Sequence, residues 1–519
     1  MRRWWVWLVV AALLGGMAAA MVTTAVRQTP TIDEPVYVAT AVVYTEQHSL
    51  RYNPEHPPLG KLIVAAGLAF TGAHLDPDFR GNQTALGRRL LYESGHDPHR
   101  LMLAARLPVI ALTLLFGLVV FLFARDLTNP VGGLLACALY AFSPDVVAHG
   151  SLATLDVPAA GFLLTSVWLL WRATERPALH LALAGAALGA ACATKASMLV
   201  AVPVLLALAA WRGGRRRWWL AGVFAAAAVA VVWASYLAVD PQLRWTPPPN
   251  LPAVPGLRGL ALDLLPFPRA YADGMRIQLG FEDRTYGGFL FGREYRGSLW
   301  YYLPAAVLVK TPLGALALWA AGAVTLLAVR RLRPAAPFVL APAAVLSVAA
   351  VFGARDYGTR YVIVLPMFLA VAAAAVVLLR WRWAPAAAAA LAGFVAVSSA
   401  LTFPHYLPYA NEAFGGPART SRHLHDSNVD WGQDLGLLAA HLREHYPGEP
   451  VWLVYKGAGS PAWYGLPTDD PTRVPPGRVR GLLVVSDSRV ARPGAKLAAL
   501  LRDADEIDDV GHSITIFRR

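Results

Sequence analysis

The chain has 519 residues, of which 56% are hydrophobic and only 15% charged. That balance excludes an ordinary soluble globule and fits an integral membrane protein. The net charge of +13 comes largely from arginines at the ends of apolar stretches, so it reads as topology and leaves no expectation of a nucleic-acid partner.

A membrane-crossing helix needs about 20 mostly apolar residues. Candidate spans fall at 4–26, 101–124, 131–148, 152–171, 180–194, 197–211, 218–239, 299–329, 335–352, 360–379 and 384–403. About eleven spans are therefore expected, with 299–329 interrupted by Lys310-Thr311-Pro312. If the N-terminus is cytoplasmic, Arg2, Arg3, Arg125, Arg172, Arg176, Arg212, Arg215 to Arg217, Arg330, Arg331, Arg333, Arg380 and Arg382 lie inside. Only Lys195, Arg355 and Arg360 then occupy the short outer connections. This bias predicts a multi-pass protein of the inner (plasma) membrane, with 27–100, 240–298 and 404–519 extracytoplasmic. No clear small-residue cleavage site follows the first apolar stretch, which is read as a retained helix. Cys137 and Cys192 fall within spans and imply no disulfide framework.

Loop 27–100 is too long and too patterned to be a simple connector. Its segments 34–47 and 59–72 are expected as interfacial helices. Loop 240–298 opens on the extended run Trp245-Thr246-Pro247-Pro248-Pro249 and is rich in aromatics toward its end. After 404 the pattern changes to a helix near 431–446, strands near 451–456 and 480–486, a helix near 494–503 and a strand near 513–518. The expected division is a helical membrane domain, 1–403, and a small α/β domain, 404–519.

Asp33 and Glu34 stand where the first span leaves the membrane. Acids suit a solvated helix N-terminus, but a carboxylate there can also act as general base toward an acceptor hydroxyl or amine. Asp156 sits at the outer end of the fourth span, where an ionisable group is costly and is usually paired or functional. Asp145 and His149, nearer water, read as ordinary loop residues. Asn53-Pro54-Glu55-His56-Pro57-Pro58-Leu59-Gly60-Lys61 places an acid, an imidazole and an ammonium around a Pro-stiffened turn. Glu55 and His56 are candidates for substrate binding or for a divalent metal, although two adjacent ligands fall short of the three or four that a site requires.

Lys195 and Arg360 are candidates to hold a phosphate, which needs cationic donors; Lys310 and Arg355 are further cations near the same face. In Asp426-Ser427-Asn428-Val429-Asp430-Trp431-Gly432-Gln433-Asp434, Asp430 suits a helix cap, while Trp431 and Gln433 suit a sugar site. P-loop, GxGxxG, HExxH and GxSxG patterns are missing.

The Asp33-Glu34 pair, the Glu55-to-Lys61 string and Ala153-Thr154-Leu155-Asp156 together resemble glycosyltransferase family 39. That family holds the protein O-mannosyltransferases and, more distantly, the lipid A aminoarabinose transferases. Gly292-Arg293-Glu294-Tyr295, the stretch from Tyr301-Tyr302 to Leu313, and the Asp426-to-Asp434 string are similar to bacterial phospholipid-carrier-dependent glycosyltransferases. The resemblance implies a GT-C fold, a polyprenyl-phosphate-linked sugar donor, and transfer with inversion to a lipid, glycan or protein acceptor at the extracytoplasmic face. It implies that Asp33 is the catalytic carboxylate, with Glu34 beside it and Asp156 as the acid of the second outer loop. Glu55 falls where the aminoarabinose transferases carry an acid that helps hold zinc. Lys61 and the Asp430-Trp431-Gln433 group stand with the substrate-binding candidates. The rival expectation is a transporter or flippase of lipid-linked sugars, which would place polar groups and broken helices near the bilayer midplane.

Overall fold

The computed structural model describes residues 4–174 and 176–519; Arg2 and Arg3, counted above as cytoplasmic, lie outside them. Among the described residues, six helices are long and apolar enough to cross a membrane. They are Trp4–Arg27, Pro98–Leu127, Pro177–Thr194, Gly214–Val239, Arg333–Val351 and Ala384–Thr402. The count reaches eight if each of two bent pairs is one span. The chain is thus a multi-pass helical membrane protein, with fewer long uninterrupted spans than the apolar runs suggested.

The difference lies in how the remaining apolar runs are broken. Pro130–Ala141 and Pro144–Gly150 meet at 62°, and Tyr302–Lys310 and Leu313–Ala328 at 117°. In each pair a proline follows the break, where it removes an N–H and drives the preceding residue out of helical geometry. The run 360–379 divides into a 3-10 turn at Thr359–Val362, an α-helix at Val364–Ala373 and a second 3-10 turn at Ala374–Leu378. Where helices do run unbroken, small residues let them approach. A Cβ on Gly185 would lie 2.1 Å from the Phe224 carbonyl oxygen of the facing helix, and one on Gly189 2.4 Å from that of Ala228.

The loop after the first span folds into a helix over the expected range, Glu34–Gln47, and a second, Leu59–Leu68, that stops short of the expected 59–72, followed by a short helix at Gln83–Arg88. Loop 240–298 carries helices Gly256–Asp263 and Arg269–Glu282 and a hairpin that the sequence reading missed, β1 (Gly287–Leu290) and β2 (Arg293–Arg296). Its two-residue turn, Phe291-Gly292, has positive φ at both positions, a geometry that suits the twist of a tight hairpin.

The C-terminal region builds a four-stranded sheet from β3 (Val451–Val454), β4 (Leu482–Ser486), β5 (Asp505–Val510) and β6 (Ile514–Arg518), in spatial order β3-β4-β6-β5. β3 and β4 are parallel and the other pairs antiparallel. Helices Leu435–His445 and Gly494–Arg502 pack on it through leucines. The sequence reading missed β5 because Asp505-Glu506-Ile507-Asp508-Asp509-Val510 is mostly acidic. Such charge is tolerated on an edge strand and discourages further pairing there.

Backbone bonds tie this region to the segment after the first span. Thr29 N–H donates to the Gln433 carbonyl (2.8 Å), and Ile32 N–H to that of Trp431 (3.0 Å). Phe291 N–H donates to the His423 carbonyl (2.9 Å), so both long loops and the C-terminal region meet on one face of the helical body.

Candidate active site

Asp33 is the N-cap residue of helix Glu34–Gln47, yet its side chain makes no cap bond. The carboxylate turns toward Arg360, which donates through one terminal nitrogen to Oδ2 at 2.8 Å. The same nitrogen lies 4.0 Å from Asp156 Oδ2, and Asp156 Oδ1 accepts from the Lys195 ammonium. Asp33, Arg360, Asp156 and Lys195 therefore form one alternating chain of charges, drawn from positions far apart in sequence. Tyr361 lies against both cations, its ring centroid 5.0 Å from the Arg360 guanidinium carbon and 5.6 Å from Lys195 Nζ. Asp33 keeps 29% of its side chain exposed and so remains reachable.

Arg360 is held in a distinctive way. The buried Trp431 ring lies 4.4 Å from its guanidinium carbon, a cation–π contact strengthened by desolvation. The buried His149 stands edge-on to that indole at 6.0 Å. The Nε of Arg360 is buried without a hydrogen-bond partner among the described residues. A desolvated donor of this kind is costly unless a ligand takes it up.

Several expected site residues are placed in supporting roles instead. Glu34 is fully buried. Its carboxylate takes two bonds from Arg106 (2.8 and 2.7 Å), two from Thr31 (2.9 and 3.0 Å) and one from the Ala153 N–H (2.8 Å). Burial opposes its charge, but Arg106 and these donors outweigh burial and hold the carboxyl below its ordinary pKa. Surrounded in this way, Glu34 fixes the backbone that carries Asp33 and links it to the Ala153–Asp156 segment; the direct role expected for it does not fit its surroundings.

Lys61 is likewise fully buried. Its three ammonium protons go to Asn53 O (2.8 Å), Asn53 Oδ1 (3.1 Å) and His56 O (2.6 Å), which clasps the Pro-rich turn and leaves no donor for substrate. Asp430 accepts from Gly432 N–H (3.1 Å) and does not cap Leu435–His445, whose N-cap position is Asp434. Gln433 spans its own turn, accepting from Trp431 N–H (2.8 Å) and donating to Val429 O (3.0 Å). Trp431, expected to line a sugar site, lies beneath the Arg360 guanidinium.

Glu55 accepts from Asn53 (2.9 Å) and Gln83 (2.8 Å) through Oε1. His56 packs edge-on to Tyr37 at 5.8 Å. Burial, then the Lys61 and Lys195 charges, push its pKa well below the ordinary range, so the ring is neutral; its Nδ1 is buried without a partner among the described residues. Among the described residues, no three His, Cys, Asp or Glu side chains converge as a metal-ligand set. Glu55 and His56 alone do not fit a resident divalent ion.

Arg106 was missed altogether, although a lone arginine inside the apolar run 101–124 is itself a signal of pairing or function. Tyr361 and His149 carried no spacing signal. They reach the cluster only through the tertiary packing of segments that start at 143 and 359.

A sequence model of the family described as "Dolichyl-phosphate-mannose-protein mannosyltransferase" matches residues 99–240. Among solved structures, ArnT from Cupriavidus metallidurans bound to undecaprenyl phosphate aligns at 15% identity over 100% of this chain and 98% of its own, with a TM-score of 0.49. The Saccharomyces cerevisiae protein O-mannosyltransferase Pmt1-Pmt2 complex bound to the sugar donor aligns at 20% identity over 45% of this chain and 33% of its own, at 0.36. The Archaeoglobus fulgidus oligosaccharyltransferase AglB, in complex with an inhibitory peptide and a dolichol-phosphate, aligns at 13% identity over 86% and 59%, at 0.45. Among curated protein sequences none matches. Over residues 99–240, which carry Arg106, Asp156 and Lys195, the chain is similar to the dolichyl-phosphate-mannose-protein mannosyltransferases, in keeping with the glycosyltransferase family 39 resemblance of its motifs.

Proposed function

We propose that the chain is a membrane glycosyltransferase of the GT-C type. It moves a sugar from a polyprenyl-phosphate donor to an acceptor at the extracytoplasmic face, with inversion at the anomeric carbon. The observation that carries this reading is the Asp33–Arg360–Asp156–Lys195 cluster, in which the accessible Asp33 carboxylate pairs with Arg360, Asp156 links Arg360 to Lys195, and the Arg360 Nε is buried without a partner among the described residues.

In the proposed step the acceptor oxygen attacks the anomeric carbon from the face opposite the phosphate. The new C–O bond forms, the bond to the phosphate oxygen breaks, and the acceptor proton passes to Asp33. The departing lipid phosphate gains negative charge, which Arg360 and Lys195 stabilise; the free Nε–H of Arg360 is one donor it takes up. Asp156 holds Lys195 in place and offsets the cationic charge when no phosphate is bound. Glu34 and Lys61 act at one remove, by fixing the Asp33 backbone and the Glu55–His56 turn.

The transporter reading draws support from the two bent helix pairs. The titratable cluster, however, sits at helix ends, beside elements that lie outside the apolar spans. Asp33→Asn, assayed with a radiolabelled polyprenyl-phosphate sugar, should lower transfer by roughly 100-fold or more while the protein still folds and inserts. Full transfer by this variant would remove the base assignment. Movement of the lipid-linked sugar across proteoliposomes without any transfer would put the transporter first.

A further inference from the structure

A groove of about 1080 Å³ lies between the segment that carries Asp33 and the C-terminal sheet. Ile32, Pro35 and Val36, on either side of Asp33-Glu34, form part of one wall, together with the Gln83–Arg88 helix. The facing wall is built from the end of β3 (Leu453, Val454), Tyr455, the loop that follows and the start of helix Gly494–Arg502. Sites for drug-sized ligands occupy roughly 300–1,000 Å³, so the groove has room for a chain of several units.

Its charge is one-sided. Arg88, Arg489 and Lys496 line it against a single acid, Asp470. Asp470 is already engaged by the Thr472 N–H (2.9 Å) and hydroxyl (2.7 Å) and by Arg473 at 3.4 Å. Arg88 is shared with Glu93 at 3.3 Å. Arg489 and Lys496 are exposed and make no ion pair among the described residues. The rest of the lining mixes hydroxyl and amide groups from Asn82, Thr84, Ser460 and Thr468 with the Tyr455 ring, prolines and aliphatic side chains. Such a surface offers hydrogen-bonding groups to sugar hydroxyls and an aromatic ring and aliphatic groups to sugar faces.

We infer that this groove seats the acceptor, and that the acceptor is an anionic saccharide chain whose carboxylate or phosphate groups are held by Arg489 and Lys496. The inference rests on the glycosyltransferase reading, since the groove matters to catalysis only if Asp33 is the base at its edge. Sugar units lying along the groove bring a hydroxyl to the Ile32–Pro35 wall, while the donor phosphate is held on the Arg360 side. The acceptor hydroxyl then meets the anomeric carbon on the face opposite the departing phosphate, with Asp33 on the acceptor side, as inversion requires.

The test uses the full-length protein in nanodiscs, with polygalacturonate oligomers, phosphomannan, neutral dextran and polyglutamate as binding probes. The wild type should bind polygalacturonate or phosphomannan, which separates the two sources of charge, and should bind dextran and polyglutamate much more weakly. Arg489→Ala with Lys496→Ala should weaken that binding by roughly tenfold, and the doubly reversed Arg489→Glu, Lys496→Glu should abolish it. Both pairs are exposed, so unfolding temperature and donor binding should stay at wild-type levels. Equal binding of dextran, preference for polyglutamate, or unchanged affinity in both variants would overturn the inference. In transfer assays the double variants should raise the acceptor KM and leave the donor KM unchanged. Wild-type transfer that is insensitive to either variant removes the groove assignment alone, whereas no transfer by the wild type to any fraction removes the glycosyltransferase reading itself.

Discussion

Arg360 stands at the centre of the candidate site. It pairs with Asp33, lies near Asp156, rests on Trp431 and retains a buried N–H without a partner among the described residues. A buried cation–π contact of this kind contributes about 2 kcal/mol. Trp431→Leu should therefore raise the KM for the lipid-linked donor by roughly tenfold, with a smaller effect on kcat, whereas Trp431→Phe should recover most of the loss. Steady-state kinetics at varied donor concentration make that distinction; equal losses in both variants would mean that Trp431 acts by packing alone. Asp33, Asp156, Lys195 and Arg360 were legible because charges at the ends of apolar runs are conspicuous. Glu34 and Lys61 were equally conspicuous, but their roles turn on Arg106 and the Asn53 carbonyls, partners that no local spacing reveals.

At the scale of elements, the turn at 429–433 forms the seam between the helical body and the C-terminal sheet. Gly432 has φ +88°, and a Cβ there would lie 2.6 Å from Gly457 Cα. This conformation lets the Trp431 and Gln433 carbonyls receive the Ile32 and Thr29 N–H groups. Behind the seam, burial pushes Asp434 and Asp487 up to about 7 each, with a further push from the Asp430 charge, although Ser513 and Thr515 donate to them. Unfolded carboxyls titrate at about 3.9. Between those values the folded chain binds more protons than the unfolded one, so stability falls as pH rises from about 4 to about 7, and the loss is complete above the folded pKa. Thermal unfolding of the purified protein should show that decline. Asp434→Asn should flatten part of it; an unchanged slope would mean that Asp434 ionises at its ordinary pH. Short apolar runs rich in β-branched residues made β3, β4 and β6 readable, while β5 and the hairpin of β1 and β2 were hidden, one by edge acidity and the other by a short aromatic-rich turn.

For the whole molecule, the two long loops, the Asp33 cluster and the sheet meet on one face, and from the arginine bias of the sequence we propose that this face is extracytoplasmic. The native Cys137 and Cys192 are both buried, so an introduced cysteine can report sidedness. A cysteine at Asp503 should react with an impermeant maleimide added to intact cells, and one at Arg216 only after lysis; the reverse pattern would invert the topology.

The site is also spread along almost the full length of the chain, from Asp33 through Asp156, Lys195 and Arg360 to Trp431. A ribosome-bound chain that has inserted its early helices owns the carboxylate but not yet the guanidinium or the indole beneath it. On the proposed function, such a nascent chain would be catalytically silent, and incomplete or abandoned translation products would not draw on the donor pool.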